Sequence, residues 1–516
     1  MSRWCATILL VMLFLGACSF SPTPEIVIVT ATPTPTPTQM MMPAPANTST
    51  PPATATPQPP IPTIPTVPQP ALTYTLHIDN PASGTARVEI VYYNPPRSRA
   101  ELGLGERGFP IPTITQFQAV DQMGNSLPTA DLGASQRFGS VRQIDVGAAT
   151  AISITYDVDL NSLRQCGNIL QSTYGAVEPE YTFYRPARTY DGPIALILDL
   201  PTGWPVVSIH NSDSGIYQIH SLDNFISAPV AFGAFHTSTH VIGNVTMTLA
   251  FQDGIPNSLE SDITHATTRI FDYFTLTIGD LSASLRNPRT NYLIVFLPQA
   301  TNKVSTREGP YGYAVHANSL DAPYWSEIPG ATYVSWQAHM IGHAWQPGTI
   351  EGPFWFSEGI TTFYQFRAVH ETGLQTDEQY QRVMISLYRW YANNVLGTED
   401  DISLAQASRY TGPYDEEVFR INYWKAALVV HILNEALTSV TEGSVTFDDV
   451  MHYLYQKYVI ESSNQVSEGM ILDVVNNLSG RDFRGFFDDY IYGNEPLPCR
   501  IEGDRLVIDF GIINIP

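Results

Sequence analysis

The sequence contains little positive charge. It has 26 lysine and arginine residues against 49 aspartate and glutamate residues among its 516 positions, which gives a formal net charge of -23 at pH 7. A chain this acidic is repelled by phosphate backbones and by anionic lipid headgroups. The charge balance therefore argues against nucleic acid, and against an anionic membrane surface, as a partner.

Long hydrophobic runs are also missing. The apolar run at residues 6–15 follows the basic Arg3 and is too short to span a bilayer. It has the basic and apolar regions of a secretory signal, and its end, Leu15-Gly-Ala-Cys18, resembles a bacterial lipoprotein signal. The resemblance implies a signal peptide at residues 1–18, with Cys18 as the lipid-bearing mature N-terminus of an extracytoplasmic, membrane-anchored protein. A plain cleaved signal that contains a cysteine is the alternative.

Cysteine is scarce, with four in the whole chain. Cys5 lies in the signal and Cys18 is the predicted lipid attachment site, so only Cys166 and Cys499 remain. Outside the cytoplasm these two thiols could form a disulfide that joins the N-terminal domain to the C-terminal tail. Two independent buried thiols are the alternative.

Residues 19–71 contain almost no charge and are rich in Pro, Thr, Ala and Met, with Thr-Pro repeats at residues 31–38. Such a segment buries too little apolar surface to offset its chain entropy, and its prolines favour extended polyproline geometry. We interpret it as a semi-rigid disordered stalk, with a proline-rich docking ligand as the weaker alternative.

Residues 72–516 are long enough for two or three hydrophobic cores. Their first part, residues 72–252, contains short segments in which apolar and polar residues alternate, separated by turn signals such as Gly124-Asn125. This pattern predicts an antiparallel β-sandwich-like domain. The predicted strands are residues 74–78, 86–93, 114–120, 152–160, 194–200 and 241–251.

A helix at residues 258–274, with Ser258 as its N-cap, and a buried strand at residues 292–297 follow. Residues 333–345 then show helical apolar spacing and place His339 and His343 four positions apart. Both imidazoles are expected on one helix face, one turn apart. This is the geometry of the zinc-binding H-E-x-x-H helix, although two ordinary core histidines have the same spacing.

A second helix is predicted after a loop rich in Gly and Pro. It begins at Trp355-Phe-Ser-Glu-Gly-Ile-Thr-Thr-Phe-Tyr364 and carries Glu358 in its first turn. A carboxylate there can be the third protein ligand of a tetrahedral zinc site, which leaves the fourth position open.

The combination of H-x-x-x-H and W-F-S-E-G-I-T-T-F-Y resembles the gluzincin metallopeptidases, and among them most closely the glycyl aminopeptidase family. The resemblance implies a thermolysin-like catalytic domain with Zn²⁺ bound by His339, His343 and Glu358. It places Met340 where the family has its catalytic glutamate. Because a thioether cannot take a proton from water, the same resemblance implies an impaired enzyme; Glu351 could substitute through a water molecule.

In the family the strand before the metal helix lies along the substrate, and residues 309–314 occupy roughly that position. Related aminopeptidases keep a glutamate there to hold the substrate's free amine. Glu308 lies on the wrong side of the glycines, so exopeptidase specificity does not carry over from the resemblance.

The remaining chain is predicted to be helical at residues 377–395, 423–437, 446–458 and 468–478. Asn422-Tyr-Trp-Lys-Ala426 resembles the family's Tyr-x-Lys-Gly helix start, whose tyrosine donates a hydrogen bond to the oxyanion. The resemblance gives this role to Tyr423, although Ala426 replaces the family glycine. A helix-start aromatic packed in the core is the alternative for Tyr423.

These observations predict a multidomain α+β protein. Its parts are a β domain at residues 72–252, a thermolysin-like catalytic domain at 253–375, a helical domain at 376–500 and a tail strand at 501–516. The expected function is that of a lipid-anchored, zinc-binding metallopeptidase-like protein that is catalytically impaired and binds peptides or proteins. An active peptidase with a displaced base and a metal-free envelope scaffold or adhesion protein are the alternatives.

Overall fold

The computed structural model describes residues 71–96, 98–105, 110–135, 137–162, 167–188, 190, 192–281, 290–298, 311–325, 328–345, 353–410, 415–457, 466–513 and 515. The described residues belong to one compact unit. Cys18, Cys166, Glu308 and Glu351 lie outside them, as do the signal peptide and nearly all of the predicted stalk. The predictions made for those positions therefore stay predictions.

The N-terminal part consists of short strands with two short helices, α1 (Pro179–Thr182) and α2 (Leu222–Ile226). Buried and less buried residues alternate along the long strands, because successive side chains of a strand point to opposite faces. The strands are β1 Leu72–His77, β2 Thr85–Tyr93, β3 Ser98–Leu104, β4 Thr113–Asp121, β5 Thr129–Gly133, β6 Ser140–Gly147, β7 Ala151–Asp159, β8 Ile169–Leu170, β9 Tyr174–Val177, β10 Arg185–Pro186, β11 Ile194–Asp199, β12 Val206–Val207, β13 Ser212–Asp213, β14 Ile216–Ile219 and β15 Val230–Gly233.

These strands form a seven-stranded sheet in the order β13-β14-β11-β1-β2-β7-β4 and two four-stranded sheets, β10-β3-β6-β5 and β12-β15-β9-β8. One pairing differs from the antiparallel arrangement that was predicted, since β1 pairs with β11 in parallel. The two strands lie far apart in sequence, so no tight turn forces them to run antiparallel. The large sheet is therefore mixed.

A third four-stranded sheet follows, in the order β16-β17-β18-β19. Its strands are β16 Phe235–Ile242, β17 Val245–Gln252, β18 Asn291–Leu297 and β19 Gly312–His316. The strand predicted at residues 241–251 is in fact a hairpin of β16 and β17. Gly243 sits between them with a φ of 58°, a left-handed conformation that favours glycine and turns the chain.

Helices make up most of the remaining structure. The helix predicted from Ser258 begins one residue earlier, with Pro256 as its N-cap. The helices are α3 Asn257–Thr277, α4 Tyr333–Gly342, α5 Phe354–Glu371, α6 Asp377–Trp390, α7 Leu404–Ser408, α8 Glu416–Arg420, α9 Ala426–Val440, α10 Phe447–Leu454, α11 Glu468–Ser479 and α12 Arg484–Phe487. The C-terminal hairpin consists of β20 (Cys499–Glu502) and β21 (Arg505–Ile508).

The described residues form two large hydrophobic cores. Strands of the N-terminal part share one core, and the second core joins the β16–β19 sheet to the helices before and after residue 376. A layer of small residues that includes Ala176, Ala231, Ala250 and Ala314 lies in a third, smaller cluster. The molecule is a mixed α and β protein, and none of its described helices is long and apolar enough to cross a membrane.

Candidate metal centre

Helix α4 carries the first histidine of the pair. The hydroxyl of Ser335 fixes the start of this helix, since it accepts from the N–H of Thr332 at 3.0 Å and donates to the Thr332 carbonyl at 2.7 Å. Every residue of α4 is buried, including His339 in its last turn. His343 follows in a 3-10 turn, His343–Trp345, and is also buried. The two imidazoles therefore remain one turn apart on a segment held on all sides by the core.

Helix α5 carries the carboxylate of Glu358 to the same place. Its first backbone groups are held by side-chain and loop contacts; the N–H of Trp355, for example, donates to the Ser408 hydroxyl at 2.8 Å. Glu358 is buried, with 5% of its surface exposed. A buried carboxylate needs a charged or hydrogen-bonding partner, and the two histidines are the groups that it faces.

The ligating atoms of His339, His343 and Glu358 converge on one point. The two Nε2 atoms lie 3.0 Å apart, and Glu358 Oε2 lies 3.5 Å from His339 Nε2 and 3.4 Å from His343 Nε2. Zinc bonds of about 2.0–2.1 Å in a tetrahedron put neighbouring ligand atoms about 3.3–3.4 Å apart. Among the described residues, these three form the one group of His, Cys, Asp or Glu side chains whose ligand atoms lie close enough together to hold a metal ion.

The electrostatics of the trio also favour a cation. Burial raises the pKa of the Glu358 carboxyl, but the charge of His343 and the close approach of both imidazoles outweigh it and hold the pKa well below its usual range. The carboxylate is thus ionised in a buried place. Within the described part of the chain, Glu358 Oε2 and His339 Nδ1 are buried without a hydrogen-bond partner. A metal ion would satisfy this carboxylate oxygen, so the three residues fit a zinc-type site.

Tyr423 lies beside this centre. Its ring stacks on the His339 ring with centroids 5.7 Å apart and planes at 17°. Tyr423 belongs to a single π-helical turn, Ile421–Lys425, which joins α8 to α9. Such turns insert one extra residue into a helix and often occur at functional sites. The structure therefore brings Tyr423 next to the candidate ligand His339, although the two residues are distant in sequence.

Lys425 anchors the turn that carries Tyr423; the Tyr-x-Lys-Gly resemblance includes this lysine but gives it no role. Its ammonium is buried, with 1% of the side chain exposed, and lies 3.0 Å from Asp401 Oδ1 and 3.0 Å from the carbonyl of Ile402. Burial lowers the pKa of Lys425, and the bond to Asp401 acts in the opposite direction. In the sequence, the feature that could have indicated this contact is a single lysine placed directly before the apolar residues of α9.

Met340 directly follows His339 in α4 and has 2% of its surface exposed. Its side chain packs in the second hydrophobic core, which the β16–β19 sheet shares with the helices. Cys499 lies far along the chain and is half-buried, and burial raises the pKa of its thiol to about 12. Its proposed partner Cys166 lies outside the described residues, so a disulfide between them stays a prediction.

Comparison with known proteins gives a consistent fold assignment. Residues 110–234 match the family described as Peptidase M61 N-terminal domain. A comparison of the sequence with curated proteins finds no match.

Several solved structures share the fold at low sequence identity. An aminopeptidase N family protein from Idiomarina loihiensis matches with a TM-score of 0.65 and 16% identity, over 82% of this chain and 76% of that protein. An M1 zinc metallopeptidase from Deinococcus radiodurans matches with a TM-score of 0.53 and 13% identity, over 83% and 94%. Yeast LTA4 hydrolase matches with a TM-score of 0.50 and 12% identity, over 84% and 68%. The chain therefore has a gluzincin-type fold like that of the M1 aminopeptidase-family metallopeptidases.

Proposed function

We propose that this chain is a zinc-binding, peptidase-like protein whose hydrolytic activity is impaired and whose cleft binds peptides. The observation that supports the proposal best is the convergence of His339 Nε2, His343 Nε2 and Glu358 Oε2 within 4.8 Å of one another in the core. Two neutral imidazoles and one carboxylate are the protein ligands of a catalytic type of zinc site with one open position.

A bound zinc ion would polarise a peptide carbonyl and lower the pKa of a water ligand to about 7. The chain's own residues must still accept the proton of that water and pass it to the leaving nitrogen. In a gluzincin this is the task of the residue after the first histidine, which here is Met340. A thioether has no basic site for this proton, and losing a general base costs roughly 10²–10⁴-fold in rate.

Tyr423 is the second residue to which we assign a role. Its phenol would donate a hydrogen bond to the oxygen of a peptide carbonyl as negative charge develops there. The stacking of its ring on His339 supports this role, because it places the tyrosine next to a metal ligand. The buried pair of Lys425 and Asp401 holds the backbone of the same turn and so limits the movement of the ring.

We further propose that the protein is attached to the outer side of a bacterial membrane through Cys18. This proposal is supported by the sequence Leu15-Gly-Ala-Cys18 and by the proline-rich stalk that follows it. A lipidated N-terminus followed by a stalk would hold the folded part at a distance from the bilayer.

Metal analysis and turnover test the proposed function together. The purified protein without its stalk should contain about one zinc ion per chain, and it should hydrolyse a panel of small peptides no faster than a buffer blank. Robust hydrolysis that a chelator abolishes would instead indicate an active peptidase with a displaced base. Absence of zinc would favour a scaffold or adhesion protein that has lost the metal.

A further inference from the structure

Three aromatic side chains form a continuous surface beside the candidate metal centre. Phe419 stacks on Tyr423 with ring centroids 4.1 Å apart, and Phe354 meets Tyr423 edge to face with centroids 6.1 Å apart. The three residues come from α8, the π-helical turn and the first position of α5. We call this surface of Phe354, Phe419 and Tyr423 the aromatic wall.

The aromatic wall contacts one metal ligand and shares a helix face with a second. The ring of Tyr423 stacks on the imidazole of His339. Phe354 lies four residues before Glu358 in α5, and residues at this spacing share one helix face. A ligand that reaches the three ligating atoms from the side of α5 would therefore also meet the wall.

The wall is more exposed than the metal ligands. Phe354 has 42% of its surface exposed, and Phe419 and Tyr423 are half-buried. His339, His343 and Glu358 have 5–7% exposed. An exposed phenylalanine next to half-buried aromatic rings gains free energy when a further apolar group covers it.

The charges around the wall disfavour an acidic ligand group. Arg420 directly follows Phe419, but its guanidinium is hydrogen-bonded to Glu416 and Glu417 and lies 5.2 Å from the ring centroid of Trp424. The chain as a whole carries a net charge of -23. An acidic side chain would therefore be repelled, whereas an aromatic side chain can stack on the rings.

We propose that the aromatic wall binds the aromatic side chain of a peptide held at the candidate metal centre. This inference rests on the proposed function and deepens it by naming the class of peptide that is bound. Phe354 would supply the accessible face of the subsite, while Tyr423 and Phe419 would supply its back.

Calorimetric titration with three tripeptides tests the inference. The probes are Ala-Phe-Ala, Ala-Ala-Ala and Ala-Glu-Ala, added to the full chain, and chromatography verifies that each peptide stays intact. The wild type should bind Ala-Phe-Ala about tenfold more tightly than Ala-Ala-Ala, and Ala-Glu-Ala should bind weakest. Phe354→Ala should remove most of the preference for phenylalanine. Leu276→Ala, which removes an apolar side chain with 78% exposure on α3, is the matched control and should retain the preference.

Equal affinities for Ala-Phe-Ala and Ala-Ala-Ala would overturn the inference, as would a preference that Phe354→Ala leaves unchanged. Elemental analysis of the same samples keeps this result separate from the proposed function. A zinc-loaded protein without aromatic preference contradicts only the inference about the wall. A zinc-free protein contradicts the proposed function. Its affinities for Ala-Phe-Ala and Ala-Ala-Ala would still support or overturn the inference about the aromatic wall.

Discussion

Gly359 and Ala426 bring α5 and α9 into direct contact one residue after the candidate ligand Glu358. A Cβ atom built on Gly359 would lie only 2.3 Å from the Cβ of Ala426 and 3.1 Å from its carbonyl carbon. Both atoms belong to Ala426, the first residue of α9, and its backbone cannot move away without shifting that helix. The absence of a side chain at Gly359 is therefore what lets the turn with Tyr423 approach α5.

Gly359→Ala should destabilise the protein because the added methyl group overlaps Ala426. Overpacking of this kind typically costs about 1–3 kcal/mol of unfolding free energy, which chemical denaturation would measure. Gly469→Ala in α11 is the matched control: its added Cβ would meet only the Ser467 hydroxyl at 3.9 Å. That control should be neutral or slightly stabilising. The double variant with Ala426→Gly should recover part of the loss, and no loss at all in Gly359→Ala would contradict the close contact.

His343→Ala should abolish zinc binding because it removes one of three ligands from an open site. Elemental analysis of purified protein measures the effect. His370→Ala is the control, since His370 lies in the last turn of α5 near Asp377 and outside the candidate centre. Equal zinc content in wild type and His343→Ala would mean that the two histidines of α4 are only core residues.

Met340→Glu should restore the missing proton acceptor next to His339. Glutamate is a good helix former, so α4 should tolerate it. We expect zinc-dependent cleavage of small peptides by this variant, and a reduction of that gain by about 10²–10³-fold when Tyr423→Phe is added. A Met340→Glu protein that is loaded with zinc but inactive would show that the site differs from an active peptidase in more than this residue.

Stability near His236 should depend on pH. His236 Nε2 lies 2.8 Å from Glu260 Oε2, and Nδ1 lies 3.2 Å from Asp253 Oδ1; the hydrogen bond with Glu260, aided by that with Asp253, raises the pKa of His236. A raised pKa stabilises the folded state fully below the unfolded value of about 6.5, and the gain is lost as pH rises through the folded value. His236→Gln should therefore destabilise more at about pH 5.5 than at about pH 9.

Denaturation curves at both pH values measure this difference. His265→Gln on α3 is the control variant, a histidine-to-glutamine change that leaves the contacts of His236 with Glu260 and Asp253 in place. A loss for His236→Gln that grows with pH would contradict the predicted sign.

Cys18→Ala should move the protein from the membrane fraction to the soluble fraction. A single lipidated cysteine is the proposed anchor, and removing its thiol removes the attachment site for the lipid. Fractionation of cells that express the wild type, Cys18→Ala and the control Cys499→Ala measures the effect. Retention of Cys18→Ala in the membrane would rule out the lipid attachment.

The sequence by itself determined the local features of this protein. Helical spacing predicted the segment that holds His339 and His343 one turn apart, and period-two alternation predicted most long strands of the N-terminal part. These features depend on residues close together in the chain, whose geometry the backbone fixes. The same reasoning did not predict the turn at Gly243, because the apolar residues on its two sides read as one continuous strand.

The resemblance predicted that Glu358 and Tyr423 join the two histidines, but only the tertiary structure decided the geometry of these contacts and the other long-range pairings. It brought Glu358 within 3.5 Å of both imidazoles, stacked Tyr423 on His339, paired β1 with β11 in parallel and placed Lys425 on Asp401. Each of these contacts depends on how whole helices and sheets pack. The contact of α5 with α9 also depends on Gly359, because a side chain there would overlap Ala426. Local pattern carries no information on such pairings, because their geometry comes from close packing of the core rather than from the period of a helix or strand.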